Sequence, residues 1–418
     1  MPNTPHIDVE DSPTRRPVAV IGSGVSGLTA AYYLSKRYEV TVFERDCRIG
    51  GHTNTIIVDS TAGPLAVDSG FIVHNERTYP LFCALMRELG VETQPSDMSF
   101  GVSNADASFE YSSRGGGRGF FARPAAWLSP SHWLLLKEIL RFNKVASAWS
   151  GEGTLQEFLD DGRYHPIFVE RYLYPMAAAV WSMSAEAMGG FPARTLLRFF
   201  DNHGLLGINT HPQWKVLKGG SHSYFGPLTK PFADRIHLDS RIASVRRCPG
   251  HVHLEFEDRP AQQFDHVVFA CHGNQVLPLL TDASDVEREI FGSFETSLNE
   301  ACLHTDIRMM PRRRAAWASW NVRLGAGAVK VTYDMNRLQS LKVAENYCVT
   351  LNATAAIDPA KIIRMITYYH PLFTKQAVAA QDRWSEVSRN HTHFCGAYWF
   401  YGFHEDGVRS AKRVADSL

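Results

Sequence analysis

Hydrophobic positions along the chain follow two periods, and the points where one gives way to the other mark out its elements. Residues 17–21, PVAVI, are a short unbroken apolar run ending at Gly22, the pattern of a strand buried on both faces. From Val25 the period becomes helical, with Leu28, Ala31 and Leu34 on one side, and predicts a helix reaching Lys36. A second strand, Glu39–Phe43, comes next and ends at Glu44. Farther on, Leu135, Ile139 and Phe142 together with Trp133, Leu136 and Leu140 cover a wide helical face. A core helix is the default for that segment, with a tunnel wall or a helix lying in a membrane interface as the alternatives.

Strand, turn, helix and strand in this order predict an α/β chain with a Rossmann-like domain. Gly22, Gly24 and Gly27 have the G-x-G-x-x-G spacing. The first lets the chain turn sharply, the second lets backbone approach a pyrophosphate, and the third lets the helix, with Ser26 in its first turn, sit close to the sheet. The helix directs its positive end at the phosphates. Glu44, at the end of the second strand, is placed to accept hydrogen bonds from the ribose of the adenosine half. A glycine-rich turn without a ligand is the competing reading.

The residues after Glu44 separate FAD from NAD. The run from Glu44 and Arg45 to Arg48, Ile49, Gly50, Gly51, His52 and Thr53 resembles the E-R-x-x-x-x-G-G element of the flavin amine oxidase and phytoene desaturase superfamily. The resemblance implies a second loop beside the pyrophosphate, non-covalent FAD, and a return strand, Val67–Ile72, whose Gly70, Phe71 and Ile72 run beneath the flavin ring. Farther along, residues 216–221 resemble the superfamily's glycine pair ahead of a helix. The strand at 241–245 puts Val245 where backbone contacts adenine, and the strand at 265–271 is similar to its V-V-x-A-T-P strand. Near the end, residues 393–398 and 404–411 resemble its closing flavin motif, which brings Gly396, Ala397, Glu405, Asp406, Gly407 and Val408 to the cofactor. Ala397 departs from the acid that relatives carry there.

A narrower resemblance, carried by residues 199–206, 212–214, 303–306 and 316–321, is to the predicted NAD/FAD-binding proteins grouped with cyclopropane fatty acid synthases. It implies oxidation or desaturation of a fatty acyl chain or similar lipid. Trp317, Trp320 and residues 398–401 read first as core packing, and the basic loop 112–119 first as a solvated surface loop, with gating of the pocket or contact with an anionic head group as its alternatives. The architecture expected is a GR2/amine-oxidase-type FAD domain from 17–75, 205–275 and 375–418. A mixed α+β substrate cap comes from 76–204 and 276–374, and residues 1–16 form a disordered lead-in.

Composition narrows the partners. The chain has 418 residues with 43 basic and 43 acidic side chains, so it has no net field to hold nucleic acid. Seven scattered cysteines without a C-x-x-C pair suggest a reduced, cytoplasmic protein with no structural zinc. No apolar run is long enough to span a bilayer, although peripheral contact with a membrane stays open. Hydrolase and kinase motifs are missing, and hydride transfer at the flavin needs no nucleophile. Desaturation would need a base, for which His203, His304 and His404 are candidates, each read first as structural. Lys218 is either near the flavin or on the surface. A soluble amine oxidase, a flavin-dependent double-bond isomerase and a non-catalytic flavin scaffold are the competing functions.

Overall fold

The computed structural model describes residues 15–181, 188–202, 206, 212–325 and 330–418. The lead-in up to residue 14 and the candidate base His203 lie outside them.

The strand Pro17–Ile21 is the middle of a five-stranded parallel sheet, between His266–Phe269 and Glu39–Phe43, with Thr392–Phe394 and Ile236–His237 at the edges. Alternation of side chains explains why PVAVI is unbroken: Val18 and Val20 face one layer, Ala19 and Ile21 the other, and all four are buried. The first layer is the helix Val25–Leu34 packed beside the C-terminal helix His404–Ser417, which buries Leu28, Ala31, Leu34, Val408 and Val414. The second is an antiparallel sheet of Ile242–Cys248, His251–Phe256 and Gln262–Phe264, backed by the helix Asp285–Gly292. The first helix stops two residues short of the expected Lys36, where the Ser35 hydroxyl turns back to donate to the Tyr32 carbonyl.

A mixed seven-stranded sheet forms the other body, in the order Ile362–Pro371, Thr296–His304, Cys348–Leu351, Lys330–Asp334, Trp320–Leu324, Phe100–Asn104 and Glu110–Ser112. Its strands all fall within 76–204 and 276–374, and those of the parallel sheet all fall outside them. The helices Pro80–Glu88 and Asp285–Gly292 belong by number with the second body but pack onto the first.

The amphipathic segment is the helix Pro130–Ala146. Leu135, Ile139 and Phe142 turn inward onto Phe158 and Phe168, so the core reading holds for that face. Trp133 and Leu140 point to solvent. Trp317 and Trp399 are buried, as expected of packing residues. The return strand Gly63–Asp68 pairs with Thr55–Ser60, and beyond it Ser69 and Phe71 still donate their N–H groups to the carbonyls of Asn54 and His52, which carries the same register on toward Ile72.

Candidate cofactor site

The glycine turn is as tight as its spacing requires. Gly22 has φ +102°, and a Cβ on Gly27 would lie 1.9 Å from the Gly22 carbonyl oxygen. Gly24 differs, since a Cβ there would meet no atom within 4 Å. It opens the helix Val25–Leu34, whose first N–H groups have no side-chain cap and whose first turn carries no acid. That leaves a positive helix end beside open space, a ready cradle for an anion. Ser26 is buried in the same turn.

Glu44 reaches this turn. One of its carboxylate oxygens accepts from the Ser23 N–H at 2.8 Å and from the Ser23 hydroxyl, and the other accepts from the Asp46 N–H at 2.9 Å. Arg45, next to it, is exposed. The second glycine pair crosses the first. Gly50 donates its N–H to the Ser23 carbonyl at 2.9 Å, and a Cβ on Gly51 would lie 3.3 Å from the Gly24 α carbon. Val245 is buried in the same core cluster as Ile21 and Phe43, and its carbonyl accepts from the Thr281 N–H at 3.1 Å.

In the closing motif two carboxylates are engaged by helix ends. Glu405 accepts the N–H groups of Leu81 and Phe82 at 3.1 and 2.9 Å, so its carboxylate caps the helix Pro80–Glu88. Asp406 accepts the Phe403 N–H at 2.9 Å, and burial pushes its carboxyl up to about 7. Buried carboxylates take the nearest free donors, and here those are helix ends. Gly407 and Val408 pack on the first helix, and a Cβ on Gly407 would lie 2.5 Å from a Val25 methyl. The Gly396 N–H donates to Ser410 Oγ at 2.9 Å, and Ala397 starts the short turn Ala397–Trp399.

None of the candidate bases that the structure describes is free. His404 Nε2 hydrogen-bonds with the Thr53 hydroxyl at 2.8 Å while its ring stacks 3.6 Å from Phe71, and burial holds it neutral. His304 is held between the Thr350 hydroxyl at 2.7 Å and the Asp306 N–H at 3.0 Å. Lys218 pairs on the surface with Glu92 at 2.7 Å.

A different histidine group occupies the junction of the two bodies. The His52 ring stacks on Tyr368 at 4.9 Å, with His370 at 5.2 Å and His272 at 5.9 Å. A Cβ on Gly70 would lie 2.1 Å from the His52 carbonyl oxygen and 3.1 Å from the Tyr368 hydroxyl, so the expected flavin-floor glycine lies against this group. Ile72, two residues on, is buried in the adjoining core. His52 Nε2 is buried without a hydrogen-bond partner. Burial keeps all three rings neutral: His52 well below its ordinary value, His370 at about 4, His272 lowered, with no carboxylate acting on any of them. They do not converge as ligands, and no metal-binding group occurs among the described residues.

Sequence reasoning missed His272 and His370. His272 could have been found, because it comes just after the C-terminal end of a parallel strand, where open α/β sheets bind ligands. His370 lies on a strand of the other sheet, about a hundred residues later, and carries no local signal. The uncapped helix end, the open side of Gly24 and the unpartnered His52 nitrogen are the features a bound dinucleotide would complete, so the residues present fit FAD.

Similarity to other proteins agrees. The family model described as flavin containing amine oxidoreductase matches residues 25–308. No curated protein matches the chain in sequence. Among solved structures the fold is similar to putrescine oxidase bound to putrescine, at 14% identity and TM-score 0.68, covering 96% of this chain and 98% of that one. It is similar to cyclohexylamine oxidase from Brevibacterium oxydans IH-35A at 15% identity and TM-score 0.69, covering 96% and 98%. It is also similar to the CLA-producing fatty acid isomerase from P. acnes at 16% identity and TM-score 0.69, covering 97% and 99%. With a dinucleotide turn, a crossing second glycine loop and a family match over well more than half its length, the chain is an FAD-dependent oxidoreductase and belongs to the flavin-containing amine oxidoreductase family.

Proposed function

We propose that the chain oxidises a hydrophobic, acyl-like substrate by hydride transfer to FAD, with the histidine group at His52, His272 and His370 receiving the second hydrogen as a proton. FAD would lie along Gly22, Gly24, Ser26 and Gly27, with Glu44 at its ribose, the Gly50–Gly51 loop at its pyrophosphate and Gly70 toward its ring. When bound, it supplies a hydride acceptor.

The observation that carries this reading is the chemistry of the histidine group. Among the described residues no carboxylate hydrogen-bonds to these imidazoles, so an ammonium finds no charged partner there, while His52 Nε2, buried without a hydrogen-bond partner, leaves one ring nitrogen uncommitted for a proton. With FAD bound as the hydride acceptor, loss of the neighbouring hydrogen as a proton to an imidazole nitrogen would leave a carbon–carbon double bond. The apolar walls around Phe71 and Tyr368 exclude water from that exchange.

Oxidation of a neutral amine is the second reading, supported by the fold likeness to two amine oxidases. Isomerisation of a double bond is the third, supported by the likeness to a fatty acid isomerase. Anaerobic mixing of the yellow protein with acyl lipids and with amines separates them. Bleaching of the flavin band by an acyl lipid, with a new double bond in the product, supports the proposal. Bleaching by amines alone overturns it, and a shifted double bond with no lasting bleaching identifies an isomerase.

A further inference from the structure

Five of the twelve large hydrophobic side chains exposed among the described residues lie within residues 127–145. Leu128 is 88% exposed, Trp127 53%, Trp133 46% and Leu140 45%. These are not loose ends. The Phe121 ring stacks on Trp127 at 4.0 Å and lies 4.8 Å from Trp133, whose indole N–H donates to the Trp127 carbonyl at 2.9 Å. Folding has built a rigid aromatic block and left it in solvent, where apolar surface is costly unless something covers it.

The outward charges of the helix Pro130–Ala146 are all of one sign. On the helix Pro130–Ala146, Trp133, Lys137, Leu140 and Lys144 fall within about 60° of the circumference and form one outward stripe. The only acid of the helix, Glu138, is turned inward and paired with Arg141. Lys137 and Lys144 have no ion pair among the described residues, nor does exposed Arg118. Arg118 lies in the turn Gly117–Phe120, which the His132 ring ties to the helix by a 2.7 Å hydrogen bond to the Phe120 carbonyl. Since the whole chain is neutral, this apolar and cationic stripe is a local arrangement.

We propose that this face is a membrane-docking surface that seats the protein on a bilayer bearing anionic headgroups. Trp127, Leu128, Trp133 and Leu140 enter the headgroup–acyl boundary, and Lys137, Lys144 and Arg118 meet headgroup charge. Tryptophan and leucine flanked by lysine and arginine, on a helix lying flat, are the composition that partitions into this boundary. A second copy of the chain suits the face less well. A two-fold interface would bring these cations against one another with no acid between them.

The test uses the full-length, flavin-loaded protein with sedimented vesicles of phosphatidylglycerol and phosphatidylethanolamine, or of phosphatidylcholine alone. The protein is expected to sediment with the anionic vesicles at least about tenfold better than with the neutral ones, and less as salt rises. Leu128→Asp and, separately, Trp127→Ser should each lower binding severalfold while the flavin band and the melting temperature stay unchanged. Lys137→Glu with Lys144→Glu should abolish the preference for anionic vesicles. Failure of the parent protein to bind either vesicle overturns the proposal. So does binding that these substitutions leave intact, or self-association in solution that the same substitutions abolish.

Discussion

Glu44 closes over the first glycine turn by accepting both the backbone N–H and the hydroxyl of Ser23, the residue between Gly22 and Gly24. Through Ser23 the same carboxylate is linked to the second glycine loop, because the Gly50 N–H donates to the Ser23 carbonyl at 2.9 Å. A carboxylate that holds this turn in shape acts on whatever the turn binds, and the proposed ribose contact would add a second effect.

Glu44→Ala should therefore weaken FAD retention by about 1–3 kcal/mol, the value of a hydrogen-bonded charged group, and Ser23→Ala by less, because the backbone bond to Glu44 remains. Equilibrium dialysis of released flavin measures both. Equal affinity in Glu44→Ala and the parent protein would remove Glu44 from the site.

Gly24 and Gly27 lie three residues apart but should fail in different ways. A side chain on Gly24 meets no protein atom within 4 Å, so Gly24→Val should fold normally and purify colourless because it fills the cradle. A Cβ on Gly27 lands 1.9 Å from the Gly22 carbonyl oxygen, so Gly27→Ala should lower the melting temperature of the flavin-free protein as well. Circular dichroism melts beside visible spectra distinguish the two, and a yellow Gly24→Val protein would count against the cradle.

Acid should destabilise the fold earlier than carboxylate titration alone implies. Burial holds His74, His304 and His393 at about 4 and His404 at about 3, against an ordinary 6.5. Their folded values lie below the unfolded one, so their contribution is complete above pH 6.5 and is lost as pH falls toward 4, at up to about 1.4 kcal/mol per pH unit for each ring. Asp68 and Asp406, raised to about 6 and about 7, act oppositely, since their contribution is complete below the unfolded value and lost as pH rises through the folded one. Four rings outweigh two carboxyls, so the melting temperature should drop between pH 7 and 5. A flat or rising profile over that interval would contradict these burials.

Much of the cofactor end could be read from the chain because it is local. The spacing of Gly22, Gly24 and Gly27, the change from strand to helix period, and the placing of Glu44 at a strand end depend on residues that are neighbours in sequence, where backbone sterics act directly. The same reasoning assigned Glu405 and Asp406 to the cofactor from their motif. It could not see that the N–H groups of Leu81, Phe82 and Phe403 would be the donors their carboxylates meet.

The chain alone determined that a dinucleotide turn would form and that a second glycine loop existed to serve it. Tertiary structure decided which polar groups look into the junction and which apolar ones stay outside. His52, His272 and His370 come together only when two sheets close on each other, and no period links residues so far apart. Likewise, the helix at 130–146 has apolar residues around most of its circumference, so its sequence could not say that Phe142 would be covered and Trp133 left in solvent. Burial is a property of what packs against a surface, and that partner is supplied by the rest of the fold.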